Sequence, residues 1–341
     1  MTDIGLFDYI LPEELIAQRP VSERDSSRLL VTDRATGKTE HRHFSDLPEY
    51  LREGDVLVFN DSRVIKARLY GTKEETGARI ELLLTRQTEG GKDWEALARP
   101  AKRLRPGDRV VFGEGFSAEI VSRGEDGLVN IRFESVEDFW SELERYGHTP
   151  LPPYIRRDDE DDDAGSYQTV YAETPGSAAA PTAGLHFTEK LLEKLRGIGV
   201  ETVFVTLHVG LGTFRPVSAD KIEEHKMHEE YYLVSDDVRD RIELAKKESR
   251  RVICVGTTSL RTVESAFETG QWESRTDIFF YPGGKRFLVT DGLITNFHLP
   301  RSTLLMLVSA FYDREKVLKI YEEAIKERYR FYSYGDAMLI I

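Results

Sequence analysis

The sequence predicts an α/β chain, a mixed, largely parallel sheet with helices, carrying an inserted small all-β barrel. Three observations predict it. After residue 188, buried-type strands alternate with helix-period segments, the order that a parallel sheet covered by helices requires. From Arg68 to about Ser135 that alternation stops, and short strands follow one another through Gly-rich turns with no helical period. Residues 1–67 return to the first type, with a turn feeding a buried strand at Leu51–Phe59, so 1–67 and 151–341 are expected to form one discontinuous α/β catalytic domain around an insert at 68–150. A length of 341 residues exceeds what one core usually holds, which agrees with two domains.

In chain order, Phe7–Ile16 offers Pro12 to a first helical turn, Arg19–Ser27 is a polar loop, and Arg28–Val31 reads as a strand. Asn60-Asp61-Ser62-Arg63 closes the Leu51–Phe59 strand with polar groups, and such ends are where open α/β sheets place ligands. Barrel strands are expected at Ala78–Leu84, Trp94–Ala98, Arg109–Phe112, Phe116–Val121 and Leu128–Phe133. Leu104–Phe112 echoes Leu51–Phe59, and two copies indicate shared turn chemistry, not a repeat architecture. A helix over Val136–Tyr146 and the Pro-stiffened Gly147–Arg157 leave the insert, and the acidic run Asp158–Asp163 is expected as a solvated, mobile loop. The loop Ser177–Thr188, built of Ala, Pro, Thr and Gly, stops where Thr188 can cap a helix at Glu189–Leu195. There follow strand Thr202–Val209, helices near Ala219–Glu230 and at Asp236–Lys247, strand Arg251–Val255 and helix Leu260–Phe267. Segments Asp277–Tyr281 and Phe287–Phe297, helices Ser302–Phe311 and Lys316–Arg330, and the apolar end Ala337–Ile341 complete the chain.

Composition narrows the function. The one cysteine, Cys254, sits in a strand-like run and excludes an intramolecular disulfide framework and any multi-cysteine metal site. A formal net charge of −13 repels polyanions at long range, so a nucleic-acid partner would need a local basic face. The barrel offers one in Arg99, Lys102, Arg103 and Arg105, with Arg156 and Arg157 at its exit, although a solvated charged hairpin fits the same residues. No secretory pattern follows Met1 and no run approaches the roughly 18 apolar residues of a membrane span. A cytoplasmic monomer with no membrane contact is therefore expected.

Five stretches offer candidate chemistry. His186 is the one strongly functional side chain of the central loop, where Gly184 and small neighbours let a ligand approach amides at a helix N-terminus; a helix-entry loop with a hydrogen-bonded histidine fits equally. Thr257, Thr258, Ser259 and Arg261 converge at another helix N-terminus, suited to an anionic or ribose-bearing ligand. His298 ends the strand before the cap Ser302. His208 precedes paired glycines that lack the third glycine of a dinucleotide fingerprint. His225 and His228, three apart on a helical face, would hold a metal only with a third ligand, and neither HExxH nor its inverse occurs.

Seven motifs extend across the chain: Phe7-Asp8-Tyr9, Ser27-Arg-Leu-Leu-Val31, Asn60-Asp-Ser-Arg63, Ala180-Pro-Thr-Ala-Gly-Leu-His-Phe-Thr188, Thr206-Leu-His-Val-Gly210, Gly256-Thr-Thr-Ser259 and Thr295-Asn-Phe-His-Leu-Pro300. Together they resemble the S-adenosylmethionine:tRNA ribosyltransferase-isomerase family of queuosine biosynthesis over nearly the whole chain. The resemblance implies transfer and isomerisation of the ribosyl moiety of S-adenosylmethionine onto 7-aminomethyl-7-deazaguanine at the tRNA wobble position, giving epoxyqueuosine in tRNA and releasing adenine and methionine. It implies an α/β domain with an inserted barrel, S-adenosylmethionine consumed as co-substrate, and no metal. Neither a methyltransferase-type Gly-rich loop nor a radical-type cysteine triplet announces that co-substrate in the residues themselves.

Such chemistry needs a base for the carbon beside the sulfonium and donors for the departing adenine, roles that suit histidine. His186, His208 and His298 are carried over as candidates, with Asp8 and Asp61; Arg63 joins Gly184, Thr257, Thr258, Ser259 and Arg261 on the co-substrate side. His186 is expected to matter more for catalysis than for folding, because its loop offers little apolar surface. The alternatives are a non-catalytic RNA-binding protein using the barrel and a metal-dependent nucleotide hydrolase using His225 and His228.

Overall fold

A computed structural model describes residues 2–88, 91–135, 138–210 and 221–341. The chain opens with β1 (Arg28–Thr32), β2 (Thr39–His43) and β3 (Val56–Asn60), and a short β4 (Ser62–Val64) leads onward. Next come β5 (Arg68–Lys73), β6 (Arg79–Gln87), β7 (Asp93–Arg99), β8 (Arg109–Gly113), β9 (Phe116–Arg123), β10 (Leu128–Ser135), α1 (Phe139–Tyr146) and β11 (Gly147–His148). The chain returns through α2 (Asp163–Ser166) and β12 (Thr174–Ser177) to α3 (Glu189–Gly197), β13 (Glu201–Leu207), β14 (Glu230–Leu233), α4 (Asp236–Lys247), β15 (Val252–Val255) and α5 (Gly256–Thr269). It ends with β16 (Glu273–Thr276), β17 (Gly292–Asn296), α6 (Thr303–Phe311), α7 (Arg314–Lys326) and β18 (Ala337–Ile340).

The large sheet runs β16-β14-β13-β3-β15-β17-β18-β1-β2. Its centre, β13-β3-β15-β17, is parallel; β18 and β1 are parallel to each other but antiparallel to that centre, and β14, β16 and β2 pair antiparallel at the flanks. Residues of β3 alternate between two cores, as the pleat demands: Val56 and Val58 pack with Ile242, Val263 and Val308 of α4, α5 and α6, while Leu57 and Phe59 pack with Leu191 and Leu195 of α3. Burial on both faces is why these strands are apolar throughout.

β5 to β10 close into an antiparallel barrel through the pairing of β5 with β8, Thr72 opposite Val111 and Lys73 opposite Val110. Gly71 permits the closure, since a Cβ there would lie 2.7 Å from the Val111 carbonyl oxygen. The echo of Leu51–Phe59 in Leu104–Phe112 has a concrete cause: Asp55 accepts from the Arg52 amide at 2.8 Å and Asp108 from the Arg105 amide at 2.7 Å, each closing a turn with a left-handed glycine, Gly54 and Gly107.

The expected caps form: Thr188 accepts from the Leu191 amide at 3.1 Å and Ser302 from the Leu305 amide at 3.2 Å. Two readings change. The helix expected near Ala219–Glu230 is, over its described part, one 3-10 turn at Ile222–Glu224 followed by β14, because Glu230–Leu233 alternates buried and half-buried and pairs with β13 and β16. Ala219 and Asp220 lie outside the described residues. The acidic run is anchored, not solvated throughout. Asp163 is 2% exposed and accepts from both Arg157 nitrogens and from the Tyr334 hydroxyl, while Asp159 accepts from the Thr149 amide at 2.9 Å.

Candidate functional site

Because β13, β3, β15 and β17 are parallel, their C-terminal ends meet at one edge, and the reversed β1 and β18 bring Ser27 and Asp336 to that same edge. The central loop crosses it. Ser177 accepts from the Val209 amide at 3.0 Å, the Ala178 amide donates to the Val209 carbonyl at 3.1 Å, and the hydroxyl of Thr182 donates to Asn296 Oδ1 at 3.0 Å. A cleft lies between this loop, the first turn of α5, the β17–α6 connection and Tyr332–Ser333.

Thr257 and Thr258 line the cleft, and the Thr258 hydroxyl is buried there without a partner among the described residues. No side chain caps α5, so its first amides stay open to a ligand; Gly256 takes the left-handed φ of +90° that the strand-to-helix turn requires. His298 lines the same cleft. Its Nε2 bonds the Thr295 hydroxyl at 2.8 Å, its amide donates to the Tyr321 hydroxyl at 3.0 Å, and among the described residues Nδ1 has no partner. Burial holds this imidazole down at about 3, so it is neutral near pH 7.

His186 sits elsewhere. It is 4% exposed and stacks on Phe44 with ring centroids 4.9 Å apart. Its Nδ1 meets the Ser27 hydroxyl at 2.7 Å and its Nε2 the Asn296 amide at 3.1 Å. Asn296 Nδ2 can only donate, so Nε2 accepts and Nδ1 carries the hydrogen. The expectation that its loop has little apolar surface for it fails, because Phe44 supplies that surface from the segment after β2. Burial, then Arg330 and Arg24, hold its pKa at about 3.

His208 ends β13 on the opposite side of the same backbone: Val209 lines the cleft, while His208 and Gly210 line a second cavity shared with Arg86 and Trp94 of the barrel. Its ring stacks on Tyr231 with centroids 5.6 Å apart, Nδ1 is buried without a partner among the described residues, and burial lowers its pKa. Leu211–Arg215, the rest of that motif, lies outside the described residues.

Other candidates are used structurally. Ser259 donates to the Val255 carbonyl at 2.8 Å and is fully buried. Arg261 is 3% exposed and paired with Glu230, whose other oxygen accepts from the Gly210 amide at 3.0 Å, so the helical register turns Arg261 away from the cleft. Gly184 is a packing glycine: a Cβ would fall 2.0 Å from the Tyr171 hydroxyl. Asp8 pairs with Arg301 on the exposed rim. Asp61 accepts from the Thr206 hydroxyl at 2.7 Å, and burial raises its carboxyl above the ordinary range. Arg63 is exposed on β4. His225 and His228 lie on an irregular segment, not a helix face, and no group of three or more metal-ligating side chains gathers among the described residues.

Arg99, Lys102, Arg103 and Arg105 are exposed on the barrel between β7 and β8, and among the described residues none forms an ion pair. Arg156 and Arg157 differ: Arg156 pairs with Glu13, and Arg157 is held by Asp163 at 2.5 and 2.7 Å, so its charge is already met.

A family model described as queuosine biosynthesis protein matches residues 4–340. The chain belongs to that family. Among solved structures, an S-adenosylmethionine tRNA ribosyltransferase from Thermotoga maritima is 39% identical over 98% of this chain and 100% of its own, with a TM-score of 0.57.

The sequence reading missed Asn296 as the joint between loop and cleft, and Tyr154, whose hydroxyl shares a 2.6 Å bond with that of Ser333 across the cleft wall. No local sequence signal marks either, since both act through partners distant in the chain; Tyr332, which lines the cleft, holds a left-handed φ of 71°.

Proposed function

We propose that this chain is an S-adenosylmethionine:tRNA ribosyltransferase-isomerase. It moves the ribosyl moiety of S-adenosylmethionine onto 7-aminomethyl-7-deazaguanine at the tRNA wobble position, releases adenine and methionine, and works in the cytoplasm on tRNA. The observation that carries the reading is the end-to-end likeness to the Thermotoga maritima enzyme. The cleft fits an adenosyl group: apolar walls at Leu299 and Leu304, open helix amides, and the orphaned Thr258 hydroxyl in reach of ribose oxygens.

Bound S-adenosylmethionine supplies an acidified carbon beside its sulfonium and an adenine leaving group. The α5 amides, Thr257 and Thr258 orient it. Neutral His298, its Nε2 held by the Thr295 hydroxyl, holds or passes a proton at Nδ1. His208 faces the barrel-side cavity, where a base carried by RNA would arrive, and His186 positions Asn296. The exposed barrel cations hold phosphate. Among the described residues no helix is long and apolar enough to cross a membrane.

The test is product analysis. Protein given S-adenosylmethionine and tRNA bearing the aminomethyl deazaguanine should release adenine and methionine together. Formation of S-adenosylhomocysteine instead would mean methyl transfer and would end the assignment.

A further inference from the structure

Beside the cleft lies another cavity, between the polar loop Arg19–Ser27 that precedes β1 and the turn Ser333–Gly335; the two spaces share Ser333 as a wall. Its lining combines Arg24 with the hydroxyl residues Ser22, Ser166, Ser333 and Tyr334. Arg24 is half-buried, and its guanidinium donates to the Leu185 carbonyl at 3.3 Å and the Gly165 carbonyl at 2.8 Å. Among the described residues it forms no ion pair. The neighbouring carboxylates are committed elsewhere: Glu160 to Arg19 and Asp163 to Arg157.

A guanidinium withdrawn from water without a counter-charge is costly. Burial lowers the pKa of Arg24 accordingly, and Arg330, itself partly withdrawn from water, adds a second positive charge felt by His186 at the cavity wall. A ligand bearing two coplanar oxygens matches the guanidinium fork and would restore the missing charge.

We infer that this cavity binds an anionic oxygen group, carboxylate or phosphate, with Arg24 as its counter-charge and the hydroxyls of Ser22 and Ser333 as further donors. The inference rests on the function proposed above, which supplies both sources: the carboxylate at the amino-acid end of S-adenosylmethionine, reaching past Ser333, or a backbone phosphate of tRNA.

The experiment compares the parent protein with Arg24→Gln and Ser22→Asp for binding of three probes: S-adenosylmethionine, 5′-deoxy-5′-methylthioadenosine, which lacks the amino-acid end, and tRNA. Ser22 is exposed, so its substitution leaves folding intact if Arg24→Gln does not, and it places a competing carboxylate at the cavity. Loss of at least about tenfold for S-adenosylmethionine, with methylthioadenosine and tRNA unchanged, identifies the carboxylate as ligand. The same loss confined to tRNA identifies phosphate. Binding of all probes within about twofold of the parent by every folded variant overturns the inference while leaving the functional reading standing. A parent protein that binds neither S-adenosylmethionine nor tRNA overturns that reading, and the inference with it.

Discussion

Replacing His186 by Ala should destabilise this protein more than a loop histidine ordinarily does. The substitution removes two hydrogen bonds, to Ser27 and from Asn296, worth about 1 kcal/mol each, and a stack on Phe44 worth roughly 0.5–1.5 kcal/mol. Adding part of a cavity term, the loss is about 3–4 kcal/mol, against about 1–2 kcal/mol for a thinly packed loop. For a chain of this length that is a melting-temperature drop of about 5 °C or more. The pH dependence makes the test specific. His186 titrates at about 3 when folded against 6.5 for the free side chain, so between those values the unfolded chain binds a proton that the folded chain refuses. The parent therefore loses stability as pH falls through that window, at up to about 1.4 kcal/mol per unit from this group, and the alanine variant lacks the term. The gap between parent and variant, measured by denaturant unfolding at pH 7.5, 6.5 and 5, should narrow by about 2 kcal/mol over the last step. A variant that melts with the parent at pH 7.5, or a gap that ignores pH, would refute the burial argument and return His186 to a purely chemical role.

Thr258→Val should leave the melt unchanged or slightly raised, since it deletes an unsatisfied hydroxyl, while S-adenosylmethionine affinity by calorimetry falls about 3–10-fold. Arg261→Met should destabilise by about 1.5–3 kcal/mol through the lost charge-assisted hydrogen bond to Glu230, with a loss of co-substrate affinity in the folded fraction no larger than that of Thr258→Val. Joint replacement of Arg99, Lys102 and Arg103 by Ala should weaken tRNA binding and reduce the slope of log affinity against log salt by about 2, with S-adenosylmethionine binding unaltered. Collapse of co-substrate binding with intact tRNA affinity would reverse that division of labour.

The sequence alone settled most strand and helix periods, five of the barrel's six strands (β6 to β10, with β5 not foreseen), and the caps Thr188 and Ser302, because each of these is decided by side chains within one turn or one strand of the element they define. It also determined the family, through motifs whose residues gather at one edge of the sheet although more than a hundred positions separate some of them. What it left open is everything set by direction and partner. Thr257, Thr258, Ser259 and Arg261 are contiguous in sequence, yet the turn of α5 sends the first two to the cleft and the others into the core. Arg157 and Asp163 look like a free cation and a solvated acid until the fold brings them within 2.5 Å, with Tyr334 of the C-terminal turn closing the pair. Val209 and its neighbours His208 and Gly210 face different cavities because adjacent residues of an extended chain point opposite ways, and which way is settled only by the sheet. His186 shows the same limit. Its loop is apolar-poor in sequence, and the ring that buries it, Phe44, comes from a segment that only tertiary packing brings alongside.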